Sequence, residues 1–392
     1  MKVLIVNEFY KCGGAEVYAF NLKKLLNEHG NTVKLLCFSF NEQDVFEEND
    51  KNVDFFKIEG SYNKILFNPL LYLQLSRYLK KYNPDLIIIN NIFSAPYTQL
   101  LAFGKYKCIQ VIHDYSIVCP KGTCIYNKYE ICDGYTENAC LKKCKYQDSK
   151  LKLFVKRTQL QIENKIRKNK VDYFISPSRK LANYLEKYGF KVQCINNPIG
   201  NMCENNEWKE KISNKKKYIY VGEISEKKGV LYLLEQFMIF SKDKDVALDL
   251  VGKIHKESED VFYKAIGNNK KINYLGVLSH EEVIDMIGEY YCMVVPSIWM
   301  ENYPTTVLEA MLCGTLVIGS DRGGIPEMLE NNRGIIFNTN RDLLEKLRNS
   351  YDLSLNDYDK MVHNAYDYVK NNNSMENFYN KFIKEIDMVM RK

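Results

Sequence analysis

The segment Met293–Ile318, MVVPSIWMENYPTTVLEAMLCGTLVI, joins two short apolar runs through a polar loop and an amphipathic stretch. The runs Met293–Val295 and Leu316–Ile318 are typical of buried strands, and a helix is predicted to begin near Thr305. A strand, a helix and a second strand in this order form a βαβ unit, which places the two strands in parallel. This segment therefore predicts an α/β fold built on a parallel sheet.

The same alternation runs along the whole chain of 392 residues, which is longer than one hydrophobic core usually organises. Further strands are predicted at Val3–Val6, Val33–Phe38, Leu86–Ile89, Ile109–Ile112, Tyr173–Ile175, Tyr218–Val221, Ala247–Val251, Ile272–Leu275 and Ile335–Phe337. The polar, lysine-rich stretch Met202–Lys217 is interpreted as a linker. We expect two doubly wound domains, residues 1–200 and 201–392, that face each other across a central cleft, with the final helix crossing back to the first domain.

Composition and charge narrow the class of protein. Hydrophobic residues make up 46% and charged residues 27% of the chain, as in ordinary globular proteins, which argues against disorder. The first residues become polar too soon for a signal peptide, and no apolar run approaches the roughly 18 residues of a membrane span, so we expect a cytoplasmic protein. Residues 1–200 hold 30 Lys and Arg against 19 Asp and Glu, whereas residues 201–392 hold 25 against 30. The basic first half predicts an anionic partner, either nucleic acid or a membrane surface.

Two glutamates, Glu301 and Glu309, are separated by seven residues across the predicted start of a helix. Free backbone N–H groups around Thr305 and Thr306 would form a site for a diphosphate. Glu309, about one turn into the helix, could accept both hydroxyls of a ribose, and Glu301 could hold hydroxyls of a transferred sugar. Without its context, a spaced pair of glutamates is more often two solvated surface charges.

The context resembles the GT4 family of retaining glycosyltransferases, which have the GT-B fold of two Rossmann-like domains. The spacing of Glu301 and Glu309, with Pro304 between them, matches the E-x7-E signature of the family, and Gly319–Glu327 continues the pattern. The resemblance implies that a sugar is moved from a nucleoside-diphosphate sugar to a saccharide or lipid-linked saccharide, as in bacterial surface polysaccharide synthesis. It also implies that no metal or other cofactor takes part in catalysis.

A second matching segment, YVGEISEKKG, ends at Gly229. It resembles the family's strand-loop-helix that carries an Arg and a Lys to the nucleotide diphosphate, and Lys228 matches that lysine. Glu223 stands where the family usually has Arg, and a carboxylate beside a diphosphate is repelled unless it is redirected. Arg322 and Lys227 are the candidates to compensate. Apart from the resemblance, Lys-Lys-Gly is typical of a solvated turn.

Three glycines and a histidine complete the implied site. Gly13 and Gly14 follow the first strand and Gly222 follows the first strand of the second domain; the resemblance implies that all three contact the donor. An ordinary strand-to-helix turn explains Gly13 and Gly14 equally well. His113, at the end of a predicted strand, matches a histidine that the family places beside the reacting sugar; the alternative is a structural histidine. The catalytic residues that the resemblance implies are His113, Lys228 and Glu301.

An insertion at about residues 115–149 is rich in cysteine, with five within 26 residues: Cys119, Cys124, Cys132, Cys140 and Cys144. It resembles the cysteine-bearing insertion of a GT4 subgroup in which His-Asp-Tyr is followed by Cys-Pro. Clustered thiolates in a reducing cell indicate a structural zinc, for which Cys119, Cys132, Cys140 and Cys144 are the predicted ligands. The insertion contains no Cys-x-x-Cys pair, so buried thiols or a redox-labile pair are the alternatives.

Residues 142–170 carry eleven Lys and Arg against two acidic residues, with apolar residues at helical spacing: Leu151, Phe154, Val155, Ile162 and Ile166. A basic amphipathic helix can rest on anionic lipid, which would bring the protein to a lipid-linked acceptor as a peripheral membrane protein. The alternative is a helix that packs on its own domain and keeps a solvated basic face.

Two other functions compete with glycosyl transfer. A sugar-nucleotide epimerase with the GT-B fold would recognise the same donor without an acceptor, but the context of the two glutamates resembles transferases. A nucleic-acid-binding protein would use the basic first half, but aromatic and basic residues do not group into a recognisable module.

Overall fold

The computed structural model describes residues 1–10, 13–39, 52–56, 67–93, 95–126, 129–132, 144, 150–200 and 216–391. The strands are β1 Lys2–Phe9, β2 Thr32–Ser39, β3 Val53–Phe55, β4 Leu86–Ile89, β5 Cys108–Val111, β6 Tyr173–Ser176, β7 Val192–Cys194, β8 Lys216–Val221, β9 Val246–Val251, β10 Ile272–Gly276, β11 Cys292–Val295, β12 Leu316–Ser320 and β13 Ile335–Phe337. The helices are α1 Gly14–Glu28, α2 Pro69–Tyr82, α3 Pro96–Phe103, α4 Lys150–Lys170, α5 Arg179–Glu186, α6 Val230–Phe240, α7 Glu259–Ile266, α8 His280–Ile287, α9 Thr305–Leu312, α10 Ile325–Leu329, α11 Leu343–Tyr351, α12 Leu355–Asn372 and α13 Met375–Met390.

Every strand that the sequence predicts is present, and two short strands, β3 and β7, are additional. Both additional strands lie at the edges of their sheet and are partly exposed. They therefore lack the continuous apolar run by which a buried strand is recognised in a sequence. Their position at the edges leaves the order of the central strands unaffected.

The first unit comprises Met1–Cys124, Asp133–Ile195 and Phe378–Lys392. Its sheet has the order β3-β2-β1-β4-β5-β6-β7, and its strands pair in parallel. The central strands are buried on both faces: Val3, Leu4, Ile5 and Val6 of β1 are inaccessible to solvent, as are all four residues of β4. Burial on both faces explains why these strands are continuous apolar runs rather than alternating ones.

The second unit comprises Ile125–Cys132 and Asn196–Asn377, with a parallel sheet of order β10-β9-β8-β11-β12-β13. Successive residues of β8 pack into opposite layers because strand side chains alternate. Tyr218 joins a core cluster with Leu233 of α6 and Leu347 of α11. Ile219 joins a second cluster with Leu308 of α9. Helices therefore cover both faces of this sheet.

The boundaries of the units differ in detail from the division at residue 200. Ile125–Cys132, part of the predicted cysteine insertion, belongs to the second unit, and α13 belongs to the first unit from Phe378 onward. Lys216 and Lys217, taken from the sequence as the end of the linker, are the first residues of β8. The rest of that stretch, from Met202, lies outside the described residues.

Each sheet has one place where the strand order reverses: between β1 and β4 in the first unit, and between β8 and β11 in the second. In open α/β sheets, ligands bind beside the carboxyl ends of the strands at such a reversal. The loops that follow these four strands are therefore the expected positions of a ligand site. Within the described residues, no helix combines the length and the apolar composition that crossing a bilayer requires.

Candidate active site

Lys228 and Glu301 meet at the carboxyl end of the second sheet. Lys228 ends a short 3-10 helix that follows β8, and Glu301 lies in the loop that follows β11, so the two strands at the reversal supply one residue each. Nζ of Lys228 donates to Oε1 of Glu301 at 2.6 Å, and Oγ of Ser297 donates to the same oxygen at 2.6 Å. Because Glu301 is only 8% exposed, water screens this ion pair weakly.

Two glycines let other backbone segments approach the loop that carries Glu301. Gly229 has φ +73°, and a Cβ atom there would lie 1.9 Å from the carbonyl oxygen of Pro296. Gly323 has φ +60°, and its Cβ would lie 1.6 Å from the carbonyl oxygen of Glu301, which accepts a hydrogen bond from N–H of Gly324 at 2.8 Å. Only glycine fits both the left-handed conformation and the space. These contacts hold the loop after β11 against the starts of α6 and α10.

Trp299 packs beside the ion pair. The N–H groups of Ile298 and Trp299 donate to the carbonyl oxygen of Lys227 at 3.0 and 3.1 Å. The ammonium groups of Lys227 and Lys228 lie 5.2 and 5.7 Å from the centre of an indole ring face, a distance at which cation–π attraction acts. Nε1 of Trp299 is buried and has no hydrogen-bond partner among the described residues, so it is a donor available to a ligand.

Helix α9 begins at Thr305, where the sequence predicted it. The N–H groups of Thr305 and Thr306 lie in its first turn, have no intrahelical acceptor and carry the positive end of the helix dipole. One turn later, Glu309 is buried, and its Oε1 lies 3.0 Å from Nε2 of His280. His280 is the first residue of α8 and is more than half exposed. Backbone N–H groups without intrahelical acceptors and a carboxylate with a histidine partner thus lie one helical turn apart.

Glu223, which stands where the family usually has Arg, and Arg322, a candidate to compensate for it, both have partners within the second unit. Nζ of Lys227 lies 3.3 Å from Oε1 of Glu223, so Lys227 offsets the charge of that carboxylate. Arg322 is buried; its Nε donates to Oγ1 of Thr339 at 3.0 Å, and its Nη2 donates to the carbonyl oxygen of Tyr129 at 2.6 Å. Two of the three guanidinium nitrogens of Arg322 are therefore engaged by Thr339 and Tyr129.

The three predicted donor-binding glycines differ in how far packing explains them. Gly222 has φ +149°, and a Cβ there would lie 3.1 Å from the hydroxyl oxygen of Tyr220, so backbone conformation and space both favour glycine. A Cβ on Gly13 would be 3.5 Å from Oε2 of Glu16, an ordinary contact, and one on Gly14 would meet no described atom within 4 Å. Packing within the described residues therefore does not account for Gly13 and Gly14.

His113 follows β5 at the carboxyl end of the first sheet. Its Nε2 lies 2.7 Å from Oδ1 of Asn90, and its ring meets Tyr18 edge to face at 4.9 Å. Burial lowers the pKa of His113 to about 4, so the imidazole is neutral at physiological pH. A neutral imidazole donates through one nitrogen and accepts through the other, which suits contact with a sugar hydroxyl.

A polar network behind His113 ties together β1, α1 and β4. Nδ2 of Asn90 donates to Oδ1 of Asn7 and to the carbonyl oxygen of Ala15, both at 2.8 Å. Nδ2 of Asn91 donates to Oε1 of Glu16, a buried carboxylate in the first turn of α1, at 3.0 Å. The network is satisfied by hydrogen bonds within the unit and places Asn90 between the first strand and the histidine.

The cysteine insertion is described only in part, and Cys140 lies outside the described residues. N–H of Cys124 donates to Sγ of Cys119 at 3.4 Å, and hydrogen bonding by the Cys124 side chain and by backbone N–H groups lowers the pKa of Cys119 to about 6. Within the described part of the chain, no three or more His, Cys, Asp or Glu side chains are arranged to hold a metal ion. Cys119, Cys132 and Cys144 therefore do not form the predicted zinc site among themselves.

A basic amphipathic helix that packs on its own domain is expected to bury its apolar face, but helix α4 leaves most of that face exposed. Leu153 is buried, but so are Arg157 and Arg167, and Nε of Arg167 donates to Oε1 of Gln110 at 2.9 Å. Most of the predicted apolar stripe is exposed: Leu151 71%, Phe154 52%, Ile162 49% and Val155 39%. The outward face of α4 thus combines apolar side chains with lysines.

Three residues of the site were missed from the sequence: His280, Asn90 and Ser297. His280 is 29 positions from Glu309 and shares no motif with it. Asn90 follows a predicted strand, and the rule that ligands lie at strand ends could have indicated it. Ser297 lies four residues before Glu301, within the quoted segment, but nothing in the sequence showed that its hydroxyl reaches back to that carboxylate.

Two family models match the chain, one in each half. The family model described as Glycosyltransferase Family 4 matches residues 12–200, and the model described as Glycosyl transferases group 1 matches residues 203–368. An uncharacterized 42.6 kDa protein in the cps region of Klebsiella pneumoniae is 22% identical over 397 residues, which cover 94% of this chain and 97% of that protein.

Solved structures share the fold over the whole chain. The structure of HepE from Anabaena in complex with UDP has a TM-score of 0.76 at 16% identity, covering 99% of this chain and 100% of that one. Sucrose-phosphate synthase from Thermosynechococcus elongatus has a TM-score of 0.75 at 16% identity, covering 100% and 99%. With glycosyltransferase models matching both halves and two Rossmann-like units in one chain, the protein is a glycosyltransferase of the GT-B fold.

Proposed function

We propose that the chain is a retaining, metal-independent glycosyltransferase of the GT4 kind, which moves a sugar from a nucleoside-diphosphate sugar to a saccharide or lipid-linked saccharide acceptor. The observation that carries the proposal is the grouping of Lys228, Glu301, Glu309 and the start of α9 at the strand reversal of the second unit. The cation and the helix N-terminus match the negative charge of the diphosphate, and the two buried carboxylates match the hydroxyls of the sugar and the ribose. We assign donor binding to the domain of residues 201–392 and acceptor binding to that of residues 1–200.

Each charged group has a role that follows from its surroundings. The leaving diphosphate gains negative charge in the transition state, and Lys228 with the N–H groups of Thr305 and Thr306 would stabilise that charge. Both donors to Glu301, Lys228 and Ser297, use Oε1, and Oε2 receives no hydrogen bond from the described residues. Oε2 would therefore accept a hydroxyl of the transferred sugar.

The nucleoside end of the donor would lie along α9. Glu309 would accept the hydroxyls of the ribose, and His280, already in contact with Oε1 of Glu309, would hold that carboxylate in place. Lys228 and the first turn of α9 supply the positive charge that a divalent cation would otherwise provide. We therefore propose transfer without a catalytic metal.

Relatives support the class of donor and the pathway. The solved structures of HepE include complexes with UDP and with UDP-glucose, and the pneumococcal O-GlcNAc transferase GtfA was solved with UDP and GlcNAc. The Klebsiella relative is encoded in the cps region. These names favour a nucleoside-diphosphate sugar as the donor and a surface polysaccharide as the product.

A peripheral membrane location is part of the proposal, and helix α4 supports it. The outward face of α4 exposes Leu151 and Phe154 beside Lys152 and Lys156, and the whole helix has eight Lys and Arg against one acidic residue. Exposed apolar side chains flanked by lysines match the interface of an anionic membrane. The protein would then work on the cytoplasmic face, where a lipid-linked acceptor is within reach.

The first test is thermal unfolding of the purified protein with UDP, GDP or ADP. A nucleotide at 100 times its dissociation constant stabilises the folded state by about 2.7 kcal/mol, so we expect one of the three to raise the midpoint clearly. Nucleotide release from the matching sugar donor should then depend on added acceptor, and the anomeric configuration of the product should equal that of the donor. Stabilisation by none of the three would contradict the proposed donor class, and acceptor-independent epimerisation would favour the rival enzyme.

A structural zinc bound by Cys119, Cys132, Cys140 and Cys144 stays a prediction, because one member of the set lies outside the described residues. Metal analysis of the purified protein tests it directly. We expect about one zinc per chain. This zinc should be absent from a variant in which Cys140 and Cys144 are both replaced by Ser. A metal-free protein of full stability would exclude it.

A further inference from the structure

A pocket of about 330 Å³ lies at the amino edge of the first sheet, between the loop that precedes β5 and the end of α4. Its lining consists of residues 104–107 and 169–172. β5 and β6, which begin at Cys108 and Tyr173, are paired neighbours, so these two lining segments lie side by side. His113 follows β5 at the opposite edge of the sheet. The pocket therefore includes none of the residues of the candidate active site.

Three of the eight lining residues are lysines: Lys105, Lys107 and Lys170. Within the part of the chain that the structure describes, none of the three forms an ion pair with Asp or Glu. Asp172 is the acidic residue of the lining, and its Oδ2 accepts a hydrogen bond from N–H of Cys108 at 2.8 Å. The lining thus carries three positive charges against one negative charge that is already engaged by the backbone.

The backbone around the pocket fixes where two of these lysines start. The stem of Lys170 lies directly on Gly104, where an added Cβ atom would be 2.5 Å from Cβ and 2.8 Å from Cδ of that lysine. A side chain at position 104 would therefore displace Lys170. The carbonyl oxygen of Lys107 accepts a hydrogen bond from N–H of Ile87 in β4 at 2.9 Å, which ties that residue to the sheet.

Lys105 and Lys170 come from different segments but act on the same phenol, that of Tyr72 in α2. Nζ of Lys105 lies 5.2 Å from the centre of the Tyr72 ring. Hydrogen bonding to Lys105 lowers the pKa of Tyr72, and the charge of Lys170 acts in the same direction. Two ammonium groups are thus held near one point, where they repel each other. An anion bound between them would relieve this repulsion.

We propose that Lys105, Lys107 and Lys170 form a binding pocket for the phosphate group of a ligand. Lysine ammonium groups bind phosphate oxygens through charge-assisted hydrogen bonds. The volume lies at the lower end of the range of about 300–1,000 Å³ found for small-molecule sites, so it suits a phosphate with the small group that carries it. The dipole at the end of α4 would attract Lys170, but it does not account for Lys105 and Lys107, which lie outside the helix.

A neighbouring pocket along α4 also contains lysines, but they have different partners. It has a volume of about 340 Å³ and includes Lys165 and Lys168. Nζ of Lys168 donates to the carbonyl oxygen of Tyr188 and lies 4.7 Å from the centre of the Phe190 ring. The ammonium group of Lys168 is therefore stabilised within the protein, and we assign no ligand to this second pocket.

Equilibrium dialysis with 32P-labelled inorganic phosphate at constant ionic strength tests the proposal. Lys105→Ala combined with Lys107→Ala should raise the dissociation constant about tenfold. Lys170→Met keeps an apolar stem against Gly104, removes the charge and should raise it about fivefold. Lys80→Ala combined with Lys81→Ala is the matched control, since it removes two exposed charges at the end of α2, outside the pocket. Unchanged phosphate binding in all three variants would overturn the proposal.

The proposed diphosphate site in the second unit is a second place for inorganic phosphate, so Lys228→Ala is measured in parallel. It should retain the phosphate that the pocket variants lose. If Lys228→Ala loses all bound phosphate and the Lys105 and Lys107 variant loses none, the ion binds at the proposed donor site and the pocket is excluded. The proposal does not depend on the proposed function, which nucleotide stabilisation and transfer assays test separately.

Two sources can supply the phosphate group, a compound in solution or the headgroup of a lipid, and vesicles distinguish them. Phosphatidic acid presents a phosphate monoester, whereas phosphatidylglycerol at equal surface charge presents a diester. If a headgroup occupies the pocket, sedimentation should favour phosphatidic acid vesicles, and Lys105→Ala with Lys107→Ala should abolish that preference. Lysine-dependent binding of free phosphate without a preference between vesicles would assign the pocket to a soluble ligand. If the lysines affect neither measurement, the pocket does not bind phosphate.

Discussion

Lys228 and Glu301 form a mostly buried ion pair of 2.6 Å between the loops that follow β8 and β11. The two residues are 73 positions apart in sequence, and they meet because β8 and β11 are neighbours at the reversal of the strand order. The pair links the proposed cation of the diphosphate site to the proposed sugar-binding carboxylate. A diphosphate that binds beside Lys228 would therefore directly change the ion pair that Lys228 makes with Glu301.

The two glutamates of the site should separate donor binding from turnover. Glu309→Ala removes the proposed ribose acceptor and should raise the dissociation constant of the nucleotide about tenfold, the effect of about 1.4 kcal/mol. Glu301→Ala should lower kcat about a hundredfold while the nucleotide still binds, because its contact is made to the sugar. Calorimetry and initial rates measure both effects. Glu345→Ala, which alters an exposed carboxylate of the same domain, is the control. If all three variants have the same dissociation constant and the same kcat, the roles proposed for Glu301 and Glu309 are wrong.

The close approach of Gly323 to Glu301 makes a prediction about stability. Gly276→Ala also introduces a side chain at positive φ, but no described atom lies within 4 Å of its Cβ, so it should cost about 1 kcal/mol. Gly323→Ala adds a clash with the carbonyl oxygen of Glu301 and should cost about 3 kcal/mol or more. Urea unfolding gives both values. Nucleotide binding should weaken in Gly323→Ala alone; equal costs for the two variants would mean that the loop moves aside freely.

Transfer should survive saturating EDTA, because Lys228 and the first turn of α9 supply the positive charge at the diphosphate. Rates with and without the chelator should agree within about twofold in matched assays. Metal analysis must accompany the assay, since a structural zinc would leave slowly. A strict requirement for added magnesium or manganese would contradict the proposed mechanism.

His113 should make stability depend on pH. Its pKa of about 4 in the folded protein lies below the value of about 6.5 expected for an unfolded chain. Between these values the unfolded state binds more protons, so the free energy of unfolding rises with pH across this window. The contribution of His113 to stability is lost as the pH falls through the same window. Lowering the pH from 7 to about 4.5 should cost about 2 kcal/mol through this group.

Urea unfolding of His113→Gln should show a correspondingly smaller decrease in stability over the same pH range. His255→Gln replaces an exposed histidine and is the control, for which the decrease should match that of the unmutated protein. If His113→Gln retains the whole decrease, the histidine is protonated as readily in the folded protein as in the unfolded chain.

Helix α4 should bind anionic vesicles through its apolar side chains as well as its lysines. Leu151→Asp combined with Phe154→Asp should abolish sedimentation with phosphatidylglycerol vesicles, and reversal of Lys152 and Lys156 to Glu should weaken it by about 1 kcal/mol per residue. Arg157 lies on the same helix but is not replaced, because it is buried.

Two controls define this result. Leu355→Asp alters an exposed leucine of the second domain and should leave vesicle binding intact. Nucleotide stabilisation should be unchanged in every variant, since the proposed donor site lies in the other unit. An unmutated protein that stays in the supernatant at low salt would show that this face has a different partner.

The sequence by itself determined the α/β class, the strands of both sheets and the start of α9. These features follow from local patterns: apolar runs of strand length, helical spacing, and a polar loop between them. The two glutamates and Lys228 were recognisable because they lie within short motifs of fixed spacing. The edge strands β3 and β7 were missed because strands that are partly exposed carry no continuous apolar run.

The tertiary structure alone decided which residues are partners. Strand order, which depends on crossovers between distant segments, brings Lys228 to Glu301, His280 to Glu309 and Asn90 to His113. It also commits Arg322 to Thr339 and Tyr129, although its sequence position made it a candidate for the diphosphate. Helix α4 shows the same limit. Its helical periodicity is visible in the sequence, but the face that it buries depends on the side chains of neighbouring elements, such as Gln110, which accepts a hydrogen bond from Arg167.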